Sequence, residues 1–291
     1  MIYATLLSMN WQLYIGAAVV MLSVAILLQR VILHRYRVDD TAFAGAFQLM
    51  VACVMLPWML INGASFVGFG SQWFPILLCT FSFGLGSIIY ATTLKHIGAS
   101  AFSVLFATQA IWIMLTGVVL YHESLGWLQL VGTAMILLSV AILAESHKVF
   151  ANRRGIALGL LTGLLFGIGI AGSAYVARSV EPISWIWLSF VLGGTASLLM
   201  NPSKIILCKT LIRGKIFKYL LILSAIYAVG NVAMNYAYIE GPFSLVAPIR
   251  QAGIIVTALL AFVFMREERT NITRKLVAAS ISTIGVALLV I

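Results

Sequence analysis

The stretch FSLVAPIRQAGIIVTALLAFVFM, residues 243–265, is apolar over about the length that a helix needs to cross a lipid bilayer, roughly 20 residues. Arg250 interrupts it, two residues after Pro248 and directly before Gln251. A guanidinium at that depth is costly, so it must face protein or water rather than lipid. Pro248 lacks an N–H group and opens the backbone, which makes it a candidate hinge. These residues predict a membrane site for an anionic group. Alternatively, the Arg250 side chain extends to one membrane–water interface, or it pairs with an acid such as Glu240.

The composition indicates a polytopic membrane protein. Of 291 residues, 62% are hydrophobic and 9% are charged, and the mean hydropathy is +1.08, whereas soluble domains carry about 25% charged residues. The net charge of +10 does not indicate nucleic acid, because the basic residues lie in short loops that topology and anionic lipid headgroups explain. The three cysteines lack paired spacing, so we expect no disulfide framework, no metal site and no cofactor.

Ten apolar segments, each about one bilayer long, predict an all-α integral membrane protein with ten transmembrane helices. They cover residues 13–33, 41–61, 73–94, 99–120, 125–144, 156–177, 184–201, 217–239, 243–265 and 275–291. The longest loops have only about fifteen residues. Any function must therefore be carried out within the membrane or at its faces.

Basic residues are concentrated in every second loop. Of the 18 Lys and Arg residues, all but Arg178 and the intramembrane Arg250 lie in these alternate loops. Positively charged loops remain in the cytoplasm. The bias therefore predicts a multi-pass protein of the cell (inner or plasma) membrane with both termini outside the cytoplasm.

The chain repeats itself at an offset of about 144 residues. Residues 94–123, LKHIGASAFSVLFATQAIWIMLTGVVLYHE, match residues 238–267, YIEGPFSLVAPIRQAGIIVTALLAFVFMRE, and each copy is followed by a closing apolar segment. Because five spans is an odd number, the two copies must insert with opposite orientation. We predict two inverted five-helix repeats, residues 1–147 and 148–291, with a substrate site near the midplane between them.

The repeats resemble a known group of membrane proteins. Ten spans in two copies, with the ending His122-Glu123-Ser124-Leu125 and then Gly132, look like the EamA-type transporters of the drug/metabolite transporter superfamily. The run GPFSLVAPIRQ, residues 241–251, is similar to a Pro-x-Arg variant found at this helix in some members. The resemblance implies a helical bundle around a central cavity that works by alternating access. Characterised relatives usually have basic N-termini in the cytoplasm, whereas residues 1–12 here lack a basic side chain, so we follow the loop charges.

Polar side chains at helical spacing predict the lining of this cavity, because polar groups that face lipid are costly. One stripe lies on the eighth segment: Tyr227, Asn231, Asn235 and Tyr238. It would hydrogen-bond a polar substrate or, alternatively, another helix. Further candidates are Phe83, Ser87 and Tyr90 on the third segment, Gln109, Trp112 and Thr116 on the fourth, and Gln48 on the second. Trp112 would either stack on a substrate or pack in the core.

Small residues and tryptophans predict how the helices pack. Four glycines recur at every fourth position of the sixth segment: Gly155, Gly159, Gly163 and Gly167. They predict the close approach of another helix, from the same chain or from a second one. Three tryptophans lie near segment ends: Trp73, Trp185 and Trp187. This position is typical of interfacial anchors.

The placement of the acidic residues limits the function. None of the eight lies deep inside a segment, and a cavity with an arginine and no acid should repel cations, which argues against a proton-coupled exporter of cationic drugs. We predict a secondary carrier of a small anionic or zwitterionic, carboxylate-bearing metabolite. A channel or a non-transporting scaffold is the alternative, and an intramembrane enzyme is least favoured because no His, Asp or Glu cluster is present. We expect a monomer or homodimer in the lipid bilayer, without a nucleic-acid partner.

Overall fold

The computed structural model describes residues 10–121, 126–144, 153–177, 179–214, 216–240, 249–250, 252–265 and 271–290. Within these ranges the chain is helical and contains no β-strand. The helices are α1 (Asn10–Arg35), α2 (Asp40–Ile61), α3 (Trp73–His96), α4 (Ala99–Phe106), α5 (Gln109–Tyr121), α6 (Trp127–Ala144), α7 (Arg153–Ala177), α8 (Pro182–Leu199), α9 (Ile205–Arg213), α10 (Ile216–Glu240), α11 (Gly253–Phe264) and α12 (Ile272–Val290). Two short 3-10 turns, Phe69–Gln72 and Pro202–Lys204, precede α3 and α9.

Helices overlap all ten apolar segments that the sequence predicts. In the described part of the chain, seven helical stretches are long and apolar enough to cross a membrane. Two shorter apolar helices, Trp127–Ile142 and Gly253–Phe264, lie at the fifth and ninth predicted segments. The helical, multi-pass class is therefore confirmed, and the count of ten spans stays a prediction.

Two of the helices have an acidic residue as their N-terminal cap. Asp39 accepts hydrogen bonds from the backbone N–H groups of Thr41 and Ala42, each at 3.1 Å, and thereby caps α2. Glu181 caps α8 in the same way through two N–H groups, at 3.0 and 2.6 Å, with Pro182 at the first helical position. Partial burial raises the pKa of each carboxyl, but the hydrogen bonds outweigh it, so both pKa values lie below their usual value.

Two local features are not seen in the apolar pattern, although residues Ala99–Thr116 still form one stretch long and apolar enough to cross a membrane. The fourth segment is not one helix, because the chain turns more tightly at Ala107 and Thr108, where the Thr108 N–H donates to the Leu105 carbonyl at 3.2 Å instead of a carbonyl four residues back. The loop after the seventh segment contains the additional helix α9. It forms because Cys208 and Leu211, three residues apart, are buried in the core while Lys209 stays exposed.

The two halves, α1–α6 and α7–α12, contact each other through equivalent pairs of helices. The first helix of each half packs against the third long helix of the other, so that α1 contacts α10 and α3 contacts α7. The second helices contact each other, as α2 and α8, and so do the last ones, as α6 and α12. Each half therefore meets the other through equivalent helices.

The glycine stripe of α7 packs against α4 and α5 of the same chain. A Cβ atom at Gly159 would lie 2.7 Å from Leu105, and one at Gly163 would collide with the Thr108 hydroxyl. The packing at Gly167 is equally close, since an added Cβ would lie 2.9 Å from the carbonyl oxygen of Gln109. The predicted close helix approach is confirmed, and it is intramolecular.

The tryptophans differ from the expectation of interfacial anchors. Trp73 is 62% exposed, as an anchor should be, but Trp185 is only 1% exposed. The indole N–H of Trp185 donates to the Ser173 hydroxyl at 2.8 Å, so this ring is an interior contact between α8 and α7. The indole N–H of Trp187 donates to the Ala52 carbonyl at 3.0 Å and joins α8 to α2. A position near the end of a segment did not distinguish these roles.

The helix ends that carry basic residues meet at one end of the bundle, which we call the basic face and define by Asp39, Asp40, Lys95 and Lys204. Asp40 forms an ion pair with Lys95 and accepts a hydrogen bond from the Thr92 hydroxyl at 2.6 Å. Asp39 forms an ion pair with Lys204 at 3.0 Å. The first pair joins α2 to α3, and the second joins the two halves.

Apolar side chains of the helix ends near the basic face are buried. Leu33, Leu94, Ile97 and Phe102 belong to the main buried cluster and are at most 5% exposed. The Arg30 side chain, which is 8% exposed, donates a hydrogen bond to the Leu94 carbonyl. These contacts join α1, α3 and α4 at this end of the bundle.

We expect Lys204→Met to lower the apparent melting temperature slightly and to make stability less sensitive to acid. Both side chains of the Asp39–Lys204 pair are partly exposed, so the pair contributes about 1 kcal/mol or less. Because the folded pKa of Asp39 is lowered, this stability is present above the usual aspartate pKa and is lost as the pH falls through the lowered value. Thermal unfolding of the purified protein at neutral and acidic pH measures the effect.

The exposed Lys209 on α9 supplies the control. Lys209→Met removes the same charge and should leave both the melting temperature and its pH dependence unchanged. The difference in melting temperature between wild type and Lys204→Met should be largest near neutral pH. It should disappear once Asp39 is protonated. A difference that is the same at every pH would contradict an ionic contribution.

Candidate functional site

A cavity of about 410 Å³ lies between the two halves. This volume is in the range of small-molecule sites, roughly 300–1,000 Å³. Its wall is built from α1–α5 of the first half and from α7, α8, α10 and α11 of the second half. The polar lining residues are Ser23, Gln29, Gln48, Ser87, Tyr90, Ser103, Gln109, Ser173, Ser189, Tyr227, Asn231, Asn235, Arg250 and Thr257.

Arg250 is the only charged side chain among the described lining residues. It is half-buried and lines the same cavity as the phenol of Tyr227. Among the described residues it forms no ion pair with Glu240, which is exposed. The alternative of a structural pair between these two residues is therefore not supported.

The polar stripe of α10 supplies two amides to the same cavity. Tyr227, Asn231 and Asn235 all line the cavity. The Asn231 amide donates to the Tyr227 carbonyl at 2.8 Å, and the Asn235 amide donates to the Asn231 carbonyl at 2.8 Å. Each bond uses one of the two N–H groups of the amide. Both side chains are thus held along their own helix while their polar ends remain at the cavity.

Aromatic rings from both halves form the apolar part of the wall. Tyr90 of α3 contacts Phe106 edge-on at a centroid distance of 5.8 Å, and Phe106 contacts Phe166 of α7 at 5.2 Å. On another side, Tyr227 of α10 contacts Phe47 of α2 at 5.0 Å. The cavity thus combines a large apolar surface with a few polar groups, as small-molecule sites do.

Gln48 joins the wall to the contact between α2 and α8. Its side-chain N–H donates to the Ser197 hydroxyl at 3.3 Å, and Ser197 in turn donates to the Gly84 carbonyl at 2.9 Å. The amide oxygen of Gln48 lies where a Cβ at Gly193 would be. This buried network ties three helices together at the cavity.

In both halves the backbone forms a tight turn at the same repeat position beside the cavity, with a hydrogen bond to the carbonyl three residues back instead of four. In the first half the Thr108 N–H donates to the Leu105 carbonyl, and in the second half the Ala252 N–H donates to the Ile249 carbonyl at 3.0 Å. These two bonds are related by the offset of 144 residues. Phe106, the repeat equivalent of Arg250, also lines the cavity, so equivalent positions contribute a ring in one half and a cation in the other.

Comparison with known families agrees with this architecture. The sequence matches the EamA-like transporter family twice, over residues 9–144 and over residues 153–291. The chain belongs to the EamA-like transporter family. It is thus a membrane transporter of the drug/metabolite transporter superfamily. The predicted repeat boundary between residues 147 and 148 lies outside the described residues and stays a prediction.

A solved structure described as "Crystal structure of protein" has a similar fold. It shares 14% sequence identity, with a TM-score of 0.58, and the match covers 94% of this EamA-like chain and 97% of the other. At this identity the likeness shows the fold alone. A comparison with curated protein sequences finds no significant match.

The structure brings together most of the binding residues predicted from the sequence. Those that line the cavity are Arg250, Tyr227, Asn231, Asn235, Gln109, Tyr90 and Ser87. Trp112 is not among the described lining residues; its side chain is 37% exposed and its Cβ faces Gly167. Gln251, Pro248 and the side chain of Tyr238 lie outside the part that the structure describes. A role in binding stays a prediction for all of these residues.

Six polar residues of the cavity lining were not predicted from the sequence: Ser23, Gln29, Ser103, Ser173, Ser189 and Thr257. Thr257 follows Arg250 by seven residues, which is two helical turns, so helical spacing from Arg250 could have found it. Gln29 lies next to the charged Arg30 near the end of the first apolar segment, where nothing in the sequence marks it as a lining residue. It is 2% exposed and faces the cavity because α1 packs between α10 and α11.

Among the described residues, no group of three or more His, Cys, Asp or Glu side chains could hold a metal ion.

Proposed function

We propose that this EamA-like transporter moves a small anionic or zwitterionic organic solute and binds its carboxylate at Arg250. The observation that carries the proposal is that Arg250 is the one charged side chain in the described lining of the cavity. In a site with apolar walls, charge interactions are stronger than in water. A carboxylate would therefore be favoured and a cation repelled.

The groups near Arg250 suit a carboxylate in a second way. A guanidinium can bind both carboxylate oxygens at once. The amides of Asn231 and Asn235 and the phenol of Tyr227 stand at the same cavity and can hydrogen-bond the remaining polar atoms of the solute. The aromatic wall would hold the apolar part of the molecule.

Alternating access by two inverted repeats is part of this proposal. The reciprocal packing of the halves and the equivalent backbone turns at Thr108 and Ala252 support it. We further propose that the basic face is cytoplasmic and that the termini are outside, in a cell membrane, with the protein acting as a monomer or homodimer and without nucleic acid.

A ligand screen followed by a transport assay tests the proposal. Amino acids, dicarboxylates, neutral sugars and quaternary amines are added to the purified protein, and the apparent melting temperature is measured. A ligand that binds only the folded state raises it. We expect acid-bearing compounds to raise the melting temperature and quaternary amines and sugars to leave it unchanged.

The stabilising acid is then tested in proteoliposomes. A carrier should show saturable uptake and counterflow, so that unlabelled solute inside the vesicle accelerates the entry of labelled solute. Uptake that rises linearly with concentration and shows no counterflow would indicate a channel instead. Stabilisation by quaternary amines or sugars, but not by acids, would contradict the anion site.

A further inference from the structure

Two tyrosines join the first half to the second at the basic face. Tyr36 follows the end of α1, three residues before Asp39, and Tyr219 lies in the first turn of α10. The centroids of their two rings are 5.7 Å apart. Tyr36 is partly buried, whereas Tyr219 is 49% exposed. The contact between the two rings therefore lies at the surface of the bundle.

Three basic residues are sequence neighbours of this tyrosine pair, and all three are exposed: Arg35, Arg37 and Lys218. None of them forms an ion pair with an acid in the described part of the chain. The two acids of the basic face have other partners, since Asp40 pairs with Lys95 and Asp39 pairs with Lys204. The described residues therefore leave the positive charge beside the tyrosines unbalanced.

The backbone of Arg37 has a conformation that favours glycine. Its φ is 49°, in the left-handed region, where a residue with a side chain is strained. Arg37 is the second residue after the end of α1, a position that glycine commonly occupies at the end of a helix. Strained residues cluster at functional and ligand-binding sites. The strain therefore favours a role for the arginine side chain in binding.

An apolar surface continues from the tyrosine pair along α10. Ile222 and Val229 follow Tyr219 by three and ten residues, so they lie on the same side of the helix, and they are 54% and 49% exposed. Neither is among the described residues that line the cavity. The stretch Ile216–Ala237 is long and apolar enough to cross a membrane, which places these two side chains against lipid acyl chains. Tyrosines are enriched where headgroups meet the hydrocarbon. A lipid could thus contact both the positive charge and the apolar surface.

We propose that this surface binds one anionic phospholipid, with its phosphate at Arg35, Arg37 and Lys218 and its acyl chains along α10. Guanidinium and ammonium groups bind phosphate oxygens through charge-assisted hydrogen bonds. A headgroup with a net negative charge is favoured, because the quaternary ammonium of a choline lipid would approach the same three cations. Since the two tyrosines belong to opposite halves, the bound lipid stabilises the contact between the halves.

Thermal unfolding of the purified, delipidated protein in detergent tests the site. Phosphatidylglycerol, phosphatidylcholine with the same acyl chains, or water-soluble glycerol phosphate is added at matched concentrations. A compound that binds only the folded state raises the apparent melting temperature. We expect phosphatidylglycerol to raise it by several degrees and the other two compounds to raise it far less.

The double variant that combines Arg37→Gln with Lys218→Gln should lose most of this shift, because it removes one charge from each side of the tyrosine contact. The matched control combines Arg154→Gln with Arg274→Gln. Both control residues are exposed and lie in the first turns of α7 and α12, which pack mainly against α3 and α6. The control has the same net charge as the first variant and should keep the wild-type shift.

Arg37→Gly should change stability and lipid binding in opposite directions. Glycine adopts a positive φ without strain, so without lipid this variant should melt at the wild-type temperature or above it. Phosphatidylglycerol should nevertheless raise its melting temperature less than it raises that of wild type.

The outcomes distinguish the possible occupants of the surface. The proposal is overturned if phosphatidylglycerol does not stabilise the wild-type protein, or if phosphatidylcholine stabilises it equally. An equal loss of the shift in both double variants would indicate a diffuse effect of net charge and would overturn the site. A shift of the same size with glycerol phosphate would assign the surface to a soluble anion instead of a lipid.

Discussion

Replacing Arg250 with glutamine should lower the affinity for carboxylate ligands by about 100-fold, equivalent to about 3 kcal/mol. Glutamine can hydrogen-bond, but it lacks the charge and the paired N–H geometry of the guanidinium, and charge-assisted bonds are about twice as strong as neutral ones. Arg250 is the only charge among the described lining residues, so no neighbouring group in that lining can replace it. Calorimetric titration of the acid found in the screen measures the loss.

Two further variants show whether the loss comes from this charge at this position. Arg250→Lys keeps the charge without the planar fork and should lose about tenfold. Lys209→Gln removes a positive charge from the exposed side of α9 and should bind the acid like wild type. If Arg250→Gln binds the acid as tightly as wild type, Arg250 is a structural residue and the anion site is wrong.

Gly167→Ala should destabilise the protein by about 2–3 kcal/mol, which is at the upper end of the cost of overpacking a core. The added Cβ would lie 2.5 Å from the Trp112 Cβ and 2.9 Å from the Gln109 carbonyl oxygen. The second neighbour is backbone at the start of α5, so it cannot move aside as a flexible side chain would. The apparent melting temperature in detergent should fall by several degrees.

Gly16 provides the control for Gly167. It lies within α1, and a Cβ placed there would meet nothing within 4 Å. Gly16→Ala should therefore leave the melting temperature unchanged or raise it, because alanine favours a helix by about 0.8–1.0 kcal/mol over glycine. Equal melting temperatures for the two variants would contradict the tight contact between α7 and α5. A displaced α5 should also weaken ligand binding, since Gln109 begins that helix and lines the cavity.

Much of the fold could be predicted because a lipid environment leaves few choices. A chain in hydrocarbon must satisfy its backbone hydrogen bonds internally, so long apolar segments form helices, and every predicted segment overlaps one. The repeat was visible because the matching residues, such as those around Phe106 and Arg250, recur at a fixed offset. The polar stripe of α10 was found for a similar reason, since Tyr227, Asn231 and Asn235 would be too costly against lipid.

Features that depend on tertiary contacts were not visible in the sequence. The turn at Ala107 and Thr108 contains no proline or glycine, and the room for its Thr108 side chain comes from Gly163 on a distant helix, α7. The burial of Gln29 is one example: its neighbour Arg30 is charged, yet Arg30 reaches the Leu94 carbonyl and both side chains are buried. Helix α9 is too short and too basic to resemble a membrane span.

The single charge in the described cavity lining has an electrical consequence. Without a ligand, the proposed carrier would hold one positive charge within the membrane field, and a bound monoanion would cancel it. The membrane potential, which is worth about 2.3 kcal/mol per charge for every 100 mV, would then act mainly on the unloaded protein. Exchange of one monoanion for another would proceed almost independently of voltage, whereas net movement of the solute would require the unloaded protein to carry its charge back across the field.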